Sequence, residues 1–477
     1  MSDVPRVTAS RLARSCAALL LAGALNGCML VGPDFKLPFL KLPQKYPEPE
    51  LSTSHALPVP ANWWRLYGDA DLDRLVAAGL EGNADVRIAI ARVEEAEAFM
   101  REVSAASFFP QVDGEGGLSR ARSSTRTGTL PSSAAPIRNN FQLGVSTSFE
   151  LDFWGRLRRA REAARAQYAA SRYGQDVVSL TLAAGIAQTY FNVRTLDAQI
   201  AVSEETLTAA EGSLDIATRR ANAGYASDLD MNQADANRSQ VAAQLKELRR
   251  LRAAAVHQLG VLTGILDLDV PAKDLRGIPS PPLPPAGLPA TLLERRPDIR
   301  EAAATYEAAN AQIGVARAAQ FPTFSLTGAL GAQSRELSTL FSAGAGIWSI
   351  GLGAVGPIFD GGRYAARTEQ AEARARQSAL SYEKTAQTAF REVSDALSNV
   401  RLTADAEQDL TRRVEQARNA LRLSSLRYES GYSGYLEVLD AQRTLNEAQL
   451  ALARNRQLYL GFTVDLMNAL GGGWAPR

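Results

Sequence analysis

Few residues in this chain are suited to chemistry, and the densest group of them lies toward the C-terminus. The stretch Arg427-Tyr428-Glu429-Ser430-Gly431-Tyr432-Ser433-Gly434-Tyr435-Leu436-Glu437-Val438-Leu439-Asp440-Ala441-Gln442-Arg443 reads as a turn between two helices, with Gly431 able to end the first and reverse the chain. In the helix after the turn, Glu437 and Asp440 are three apart and share a face, Leu436 and Asp440 are four apart, and Arg443 follows one turn on. Such charges ordinarily mark a solvated face. Gathered into rings by a symmetric assembly, crowded carboxylates would attract cations and repel anions.

Other chemistry is poorly supplied. With only His55 and His257, a histidine acid–base or metal site has little to draw on. The five methionines do not cluster, so nothing marks a soft-metal route. Gly351-Leu-Gly353-Ala-Val-Gly356 matches G-x-G-x-x-G, but it sits in an expected strand with Pro357 next and no helix starting at the glycines. A pyrophosphate would find no helix N-terminus there. A net charge of +1 with 22% charged residues gives no footprint for nucleic acid. No cofactor, metal or catalytic residue is expected, and the chain does not read as an enzyme.

Both cysteines, Cys16 and Cys28, lie near the N-terminus, so the rest of the chain can form no disulfide. Arg6, Arg11 and Arg14 precede an apolar run at 16–25 that is too short to span a bilayer. It closes in Leu25-Asn26-Gly27-Cys28, which resembles a bacterial lipobox. The expectation is removal of residues 1–27 and acylation of Cys28, with Met29 next to it pointing away from inner-membrane retention.

Two proline-rich runs, one after Cys28 and one at 279–289, read as extended tethers. Between and beyond them, the proline-free regions 157–270 and 358–475 are rich in helix formers. The chain also repeats itself. Gly155-Arg156 returns 207 residues later as Gly362-Arg363, and Arg220, Gly224, Leu229 and Ala234 return in the same register as Arg427, Gly431, Leu436 and Ala441. Each copy reads helix, two strands, long helix, turn, helix. The long helices would each span about 96 Å at about 1.5 Å per residue. Heptads such as Val438, Leu445, Leu452 and Tyr459 predict coiled-coil packing of the returning helices. Phe141, Leu143, Val145, Thr147, Phe149, Leu151 and Phe153 alternate with polar residues, the pattern of a strand with one face in lipid. In the second copy Phe324, Leu326 and Leu330 share a face, and Trp348, Ile350 and Leu352 share another. Four strands cannot close a membrane barrel, and an open edge in lipid leaves backbone groups unpaired, so the chain must oligomerise.

The order helix, strand, strand, helix, helix, given twice, resembles the TolC-type outer-membrane factors. Cys28-Met-Leu-Val-Gly-Pro-Asp-Phe, Asn62-Trp63-Trp64, Leu151-Asp-Phe-Trp-Gly-Arg156, Arg295-Arg296-Pro297-Asp298-Ile299, Leu439-Asp440-Ala441-Gln442-Arg443 and Leu470-Gly-Gly-Gly-Trp474 resemble the lipoprotein branch typified by NodT and OprM. The resemblance implies an α+β membrane protein: a homotrimer with a twelve-stranded transmembrane β-barrel, four strands per chain, continued by a long periplasmic α-helical barrel. It implies an outer-membrane exit duct for drugs and toxic small molecules, docked to a periplasmic adaptor (a membrane fusion protein) and an inner-membrane pump of the resistance–nodulation–division (RND) class. It also implies that Leu436, Glu437, Asp440 and Arg443 line the periplasmic gate, with Asp230 and Tyr428 as its latch. Some members carry an arginine where this chain has Ser433. A duct for type I protein secretion and a periplasmic coiled-coil adaptor or scaffold are the alternatives.

The expected organisation is a signal peptide at 1–27, a lipidated tether at 28–62, a first repeat at 63–278, a connector at 279–290 and a second repeat at 291–477. The first repeat has strands near 110–122 and 140–153 and helices near 71–105, 157–220 and 228–264. The second has strands near 322–332 and 346–358 and helices near 291–318, 364–427 and 435–468.

Overall fold

A computed structural model of the chain describes residues 30–41, 43, 45–47, 59–124, 126, 136–283 and 292–474. Cys28, the signal peptide and much of both proline-rich runs lie outside the described residues. In chain order the elements are α1 (Ala70–Gly82), α2 (Ala84–Phe108), β1 (Gln111–Arg122), β2 (Ile137–Leu151), α3 (Arg156–Asn222), α4 (Asp228–Thr263), α5 (Leu292–Arg295), α6 (Pro297–Ala318), β3 (Thr323–Ser334), β4 (Gly346–Val355), α7 (Arg363–Glu429) and α8 (Tyr435–Ala469). They fall into two compact units, one of 1–38, 93–170 and 302–382, the other of 39–92, 171–301 and 383–477.

The first unit holds one antiparallel sheet in the order β1-β2-β3-β4. Residues directly opposed across an antiparallel ladder share a face, so the register assembles rows. Leu118 stands beside Phe141, and below it run Gly116-Leu143-Ala332-Gly346, Gly114-Val145-Leu330-Trp348 and Val112-Thr147-Gly328-Ile350. Phe149-Leu326-Leu352 and Leu151-Phe324-Ala354 complete the face, which carries no ionisable side chain in these rows. The second-copy residues that the alternation assigned to two faces are therefore on one: Leu330 opposes Trp348 and Leu326 opposes Leu352. Apart from Ile347 and Val355 of β4, the reverse face is polar or small, with rows such as Asp113-Ser146-Ala329-Ser349 and Gln111-Ser148-Thr327-Gly351. Among the described residues nothing covers the apolar face: Trp348 is 76% exposed and Leu118 73%.

The strand ends differ from the sequence reading for local reasons. β2 stops at Leu151 and leaves Phe153 outside the strand, because the Asp152 carboxylate accepts the backbone N–H groups of Leu157 (3.1 Å) and Arg158 (3.0 Å) and starts α3. β4 stops at Val355, ahead of Pro357, which has no N–H to offer a ladder. Gly351 and Gly353 lie inside β4, and α7 begins only at Arg363, so no phosphate-cradling turn is formed.

The segment just after the expected lipid site is strapped to this unit. Val31 N–H donates to Trp154 O (3.2 Å). The Arg159 side chain, 3% exposed, donates to Val31 O (3.4 Å), Gly32 O (3.4 Å), Asp34 Oδ1 (3.0 Å) and Glu162 Oε2 (2.8 Å). Gly32 sits at φ +105°, and a Cβ there would stand 2.6 Å from Gly314 Cα, so only glycine fits.

In the second unit Trp63, Tyr67 and Leu72 pack with Ile186 and Phe191 of α3, Leu259 of α4 and Leu460, Val464 and Met467 of α8. Arg194, wholly buried, pairs with Asp197 and Asp71, while Arg252 also reaches Asp197 and Lys273 reaches Asp69 (2.9 Å). Each buried charge thus has a partner, without which its burial would be costly.

Two expected helices are each broken in two. The helix expected near 71–105 is interrupted at Asn83, which turns to an extended conformation, accepts Asp85 N–H (2.7 Å) to cap α2, and donates to Leu262 O (3.0 Å). The helix expected near 291–318 breaks at Arg296, because Pro297 disfavours helical geometry in the residue before it and is itself suited to a first helical turn. Among the described residues no helix is long and apolar enough to cross a membrane.

Candidate functional site

Both helical turns are built alike. Gly224 (φ +79°) and Gly431 (φ +77°) take the left-handed conformation that ends each long helix. At the first turn Tyr225 N–H donates to Arg220 O (2.9 Å) and Gly224 N–H to Ala221 O (3.0 Å). At the second, Tyr432 N–H donates to Arg427 O (2.8 Å) and Gly431 N–H to Tyr428 O (3.0 Å). This paired bonding is a Schellman cap, repeated at the 207-residue spacing. The same spacing matches Leu229 to Leu436 and Asp230 to Glu437, so an expected latch acid and an expected gate acid hold equivalent places in the two copies.

The start of α8 divides cleanly. Tyr435, Val438, Leu439 and Gln442 are buried, the first three in a cluster with Ala217 of α3 and Ala234 of α4. Leu436, Glu437, Asp440 and Arg443 are all exposed and share the opposite face, with Leu436 65% exposed. Glu437 Oε2 lies 3.4 Å from Arg427 Nε, so this acid carries a partner from its own chain.

The expected latch is not closed within the chain. Tyr428 is buried, edge-on to Tyr435 (5.7 Å between rings), and its Oη has no hydrogen-bond partner, Asp230 included. Ser433 Oγ is likewise buried without a partner, while Tyr435 Oη, also buried, faces Ser213. Burial pushes the Tyr435 phenol above its ordinary pKa, with Ser213 and Arg443 opposing the rise and Tyr428 and Asp230 adding to it. The Tyr428 and Ser433 hydroxyls at this turn each cost about 1–3 kcal/mol if left unmet.

One residue that helps build this turn was not singled out by sequence for this role. The Arg220 guanidinium lies 4.6 Å from the Tyr428 ring centre and donates to Tyr428 O (2.9 Å) and Glu429 O (2.8 Å). It satisfies carbonyls that the end of α7 would leave open and places positive charge at a helix C-terminus. The only signal in the sequence was its match to Arg427 in the repeat.

The family of outer membrane efflux proteins matches residues 75–265 and again 288–472. Among curated relatives, the solvent efflux pump outer membrane protein SrpC of Pseudomonas putida is 36% identical, with 96% of this chain and 97% of the relative covered. The cation efflux system protein CusC of Escherichia coli strain K12 is 35% identical, covering 96% and 98%. Among solved structures, the outer-membrane channel OprN superposes with a TM-score of 0.85 at 29% identity over 94% of this chain and 100% of that one. The open-state MtrE channel of Neisseria gonorrhoeae gives 0.80 at 29% over 93% and 98%. These likenesses run the whole length of sheet and helices alike and exclude a scaffold of helices alone. The chain belongs to the outer membrane efflux protein family, and it is the outer-membrane channel of an efflux system.

Proposed function

We propose that three copies of this chain form the exit duct of a tripartite pump for toxic small molecules, fed by a periplasmic adaptor and an inner-membrane pump of the RND class. The observation that carries this reading is the sheet: four strands with one face free of charge in every row from Phe141 to Leu151, an opposite face mostly polar or small, and two free edges. Edge groups exposed to lipid cost several kcal/mol each, and three sheets in a ring remove every edge. The apolar face then meets lipid and the polar face lines the lumen.

The second helical turn is the gate. Leu436 forms an apolar collar, Glu437 and Asp440 form stacked acidic rings with Arg443 beyond them, and Asp230 and Tyr428 form the latch, the Tyr428 hydroxyl leaving its buried place to meet the acid when the gate is shut. Cys28 carries the lipid. Planar-bilayer recording tests the gate: Glu437→Gln with Asp440→Asn should move the reversal potential in a salt gradient toward zero, whereas Tyr428→Phe with Asp230→Ala should raise resting conductance and leave selectivity in place. Unchanged selectivity in the neutralised pair would return these acids to an ordinary solvated face.

A further inference from the structure

The first hairpin carries an arrangement that neither the channel nor the gate uses. From Ser119 to Asn140 the chain has four arginines, Arg120, Arg122, Arg126 and Arg138, and no aspartate or glutamate. The equivalent stretch of the second hairpin balances Arg335 with Glu336. The ladder runs unbroken to its last rungs, Arg120 opposite Asn139 and Arg122 opposite Ile137. Parity therefore puts Arg120 and Arg122 on the same face as Val112, Leu118 and Phe141, the apolar one, and puts Arg138, opposite Ala121, on the polar face. Both arginines of the pair are exposed, and no described carboxylate is within ion-pair distance of either.

Their height is equally specific. Arg120 is one same-face step beyond Leu118, the top of the apolar rows, and Arg122 is two steps beyond. At about 3.4 Å per residue and a tilt near 40°, those steps are about 5 and 10 Å above the hydrocarbon edge, within the headgroup layer. In the outer-membrane placement, on which this inference rests, the hairpin end of the sheet is the outer one, since the other strand ends run into the helices. Guanidiniums make paired charge-assisted bonds to phosphate in a way that suits a fixed, lipid-facing site. We propose that Arg120 and Arg122 form a binding site for the phosphate groups of the phosphorylated glycolipid of the outer leaflet, one site per protomer, which fixes the depth of the barrel and seals its boundary.

Native mass spectrometry of detergent-solubilised trimers, titrated with bis-phosphorylated lipid A or with its dephosphorylated form, tests the site. Wild type should prefer the phosphorylated lipid, and Arg120→Gln with Arg122→Gln should bind it about tenfold more weakly or worse, about threefold for each solvent-exposed guanidinium lost. Arg138→Gln, on the polar face, should bind as wild type, and millimolar inorganic phosphate should displace nothing. Equal binding by the double variant, equal loss in Arg138→Gln, or displacement by free phosphate would each overturn the proposal. Bilayer conductance of the same double variant separates this from the channel reading, because loss of lipid binding with normal conductance leaves the barrel intact. If the double variant fails to form trimers, the single variants carry the same comparison, each expected to weaken binding by about threefold.

Discussion

Val145→Arg places a charge in the middle of the proposed lipid face, and the sheet supplies the arithmetic. The apolar rows run from Phe141 to Leu151, ten residue steps along β2. At about 3.4 Å per step this is about 34 Å of strand, and a tilt near 40° reduces it to about 26 Å of height, matching the apolar band of outer-membrane barrels at about 25 Å. Val145 lies four steps below Phe141, about 10 Å deep, close to the midplane and flanked by Gly114, Leu330 and Trp348. An arginine there costs about 2–4 kcal/mol per chain, or about 6–12 kcal/mol over a trimer. Ser146→Arg, one residue on, enters the polar rows beside Asp113 and should be tolerated. Phe141→Arg, at the rim, should cost about 0–1 kcal/mol per chain. Heat-modifiable migration of outer-membrane extracts gives the trimer yield of each, expected in the order Ser146→Arg, Phe141→Arg, Val145→Arg from high to low. Equal yields for Val145→Arg and Ser146→Arg would refute the assignment of faces and with it the closure argument.

Three further outcomes follow from particular contacts. Arg220→Met removes two bonds to the carbonyls that end α7 and should loosen the second turn by about 1–3 kcal/mol, seen as higher resting conductance in bilayers without a change of ion selectivity. Asp69→Asn should lower the melting temperature at neutral pH. Burial alone would raise the Asp69 pKa, but Lys273 and the Asp71 backbone N–H hold it below the usual carboxylate range. Its contribution, about 1–2 kcal/mol given the half-exposed Lys273, is thus present above the ordinary carboxylate pKa and lost as pH falls through the depressed value, so wild type and variant should converge on acidification. Cys28→Ser should abolish metabolic labelling by fatty acid while trimers still form, since closure rests on the barrel; label retained on the variant would remove Cys28 as the lipid site.

The strand faces were legible because period two survives in the residues themselves, from Phe141 to Leu151. The register between strands was not, which is why Leu330 and Trp348 were read as separate faces: hairpin pairing depends on turn geometry that composition does not reveal. The break at Pro297 follows from a rule that acts on neighbouring residues, whereas the break at Asn83 depends on a carbonyl 179 residues away, at Leu262. That Leu436, Glu437, Asp440 and Arg443 share one face of α8 could be seen from spacing, whereas the gate role proposed for them rests on the family resemblance. The orphan hydroxyls could not, since burial of Tyr428 and Ser433 arises only when the two turns pack, nor could Arg220, whose acceptors lie 208 and 209 residues along the chain.

The two matched turns have a consequence for how such a duct can work. Six identical subunits would be obliged to place the same residue at every turn around the ring. A chain that carries the motif twice needs only three copies for the same six turns, and its halves are free to drift apart: Ala221 stands where the other half has Tyr428, Ser227 where it has Gly434, and Gln233 where it has Asp440. Division of labour becomes possible between otherwise equal positions. In a trimer, three turns can then keep one set of side chains while the alternate three change theirs, and a substitution in one half of the gene leaves the turns of the other half as they were.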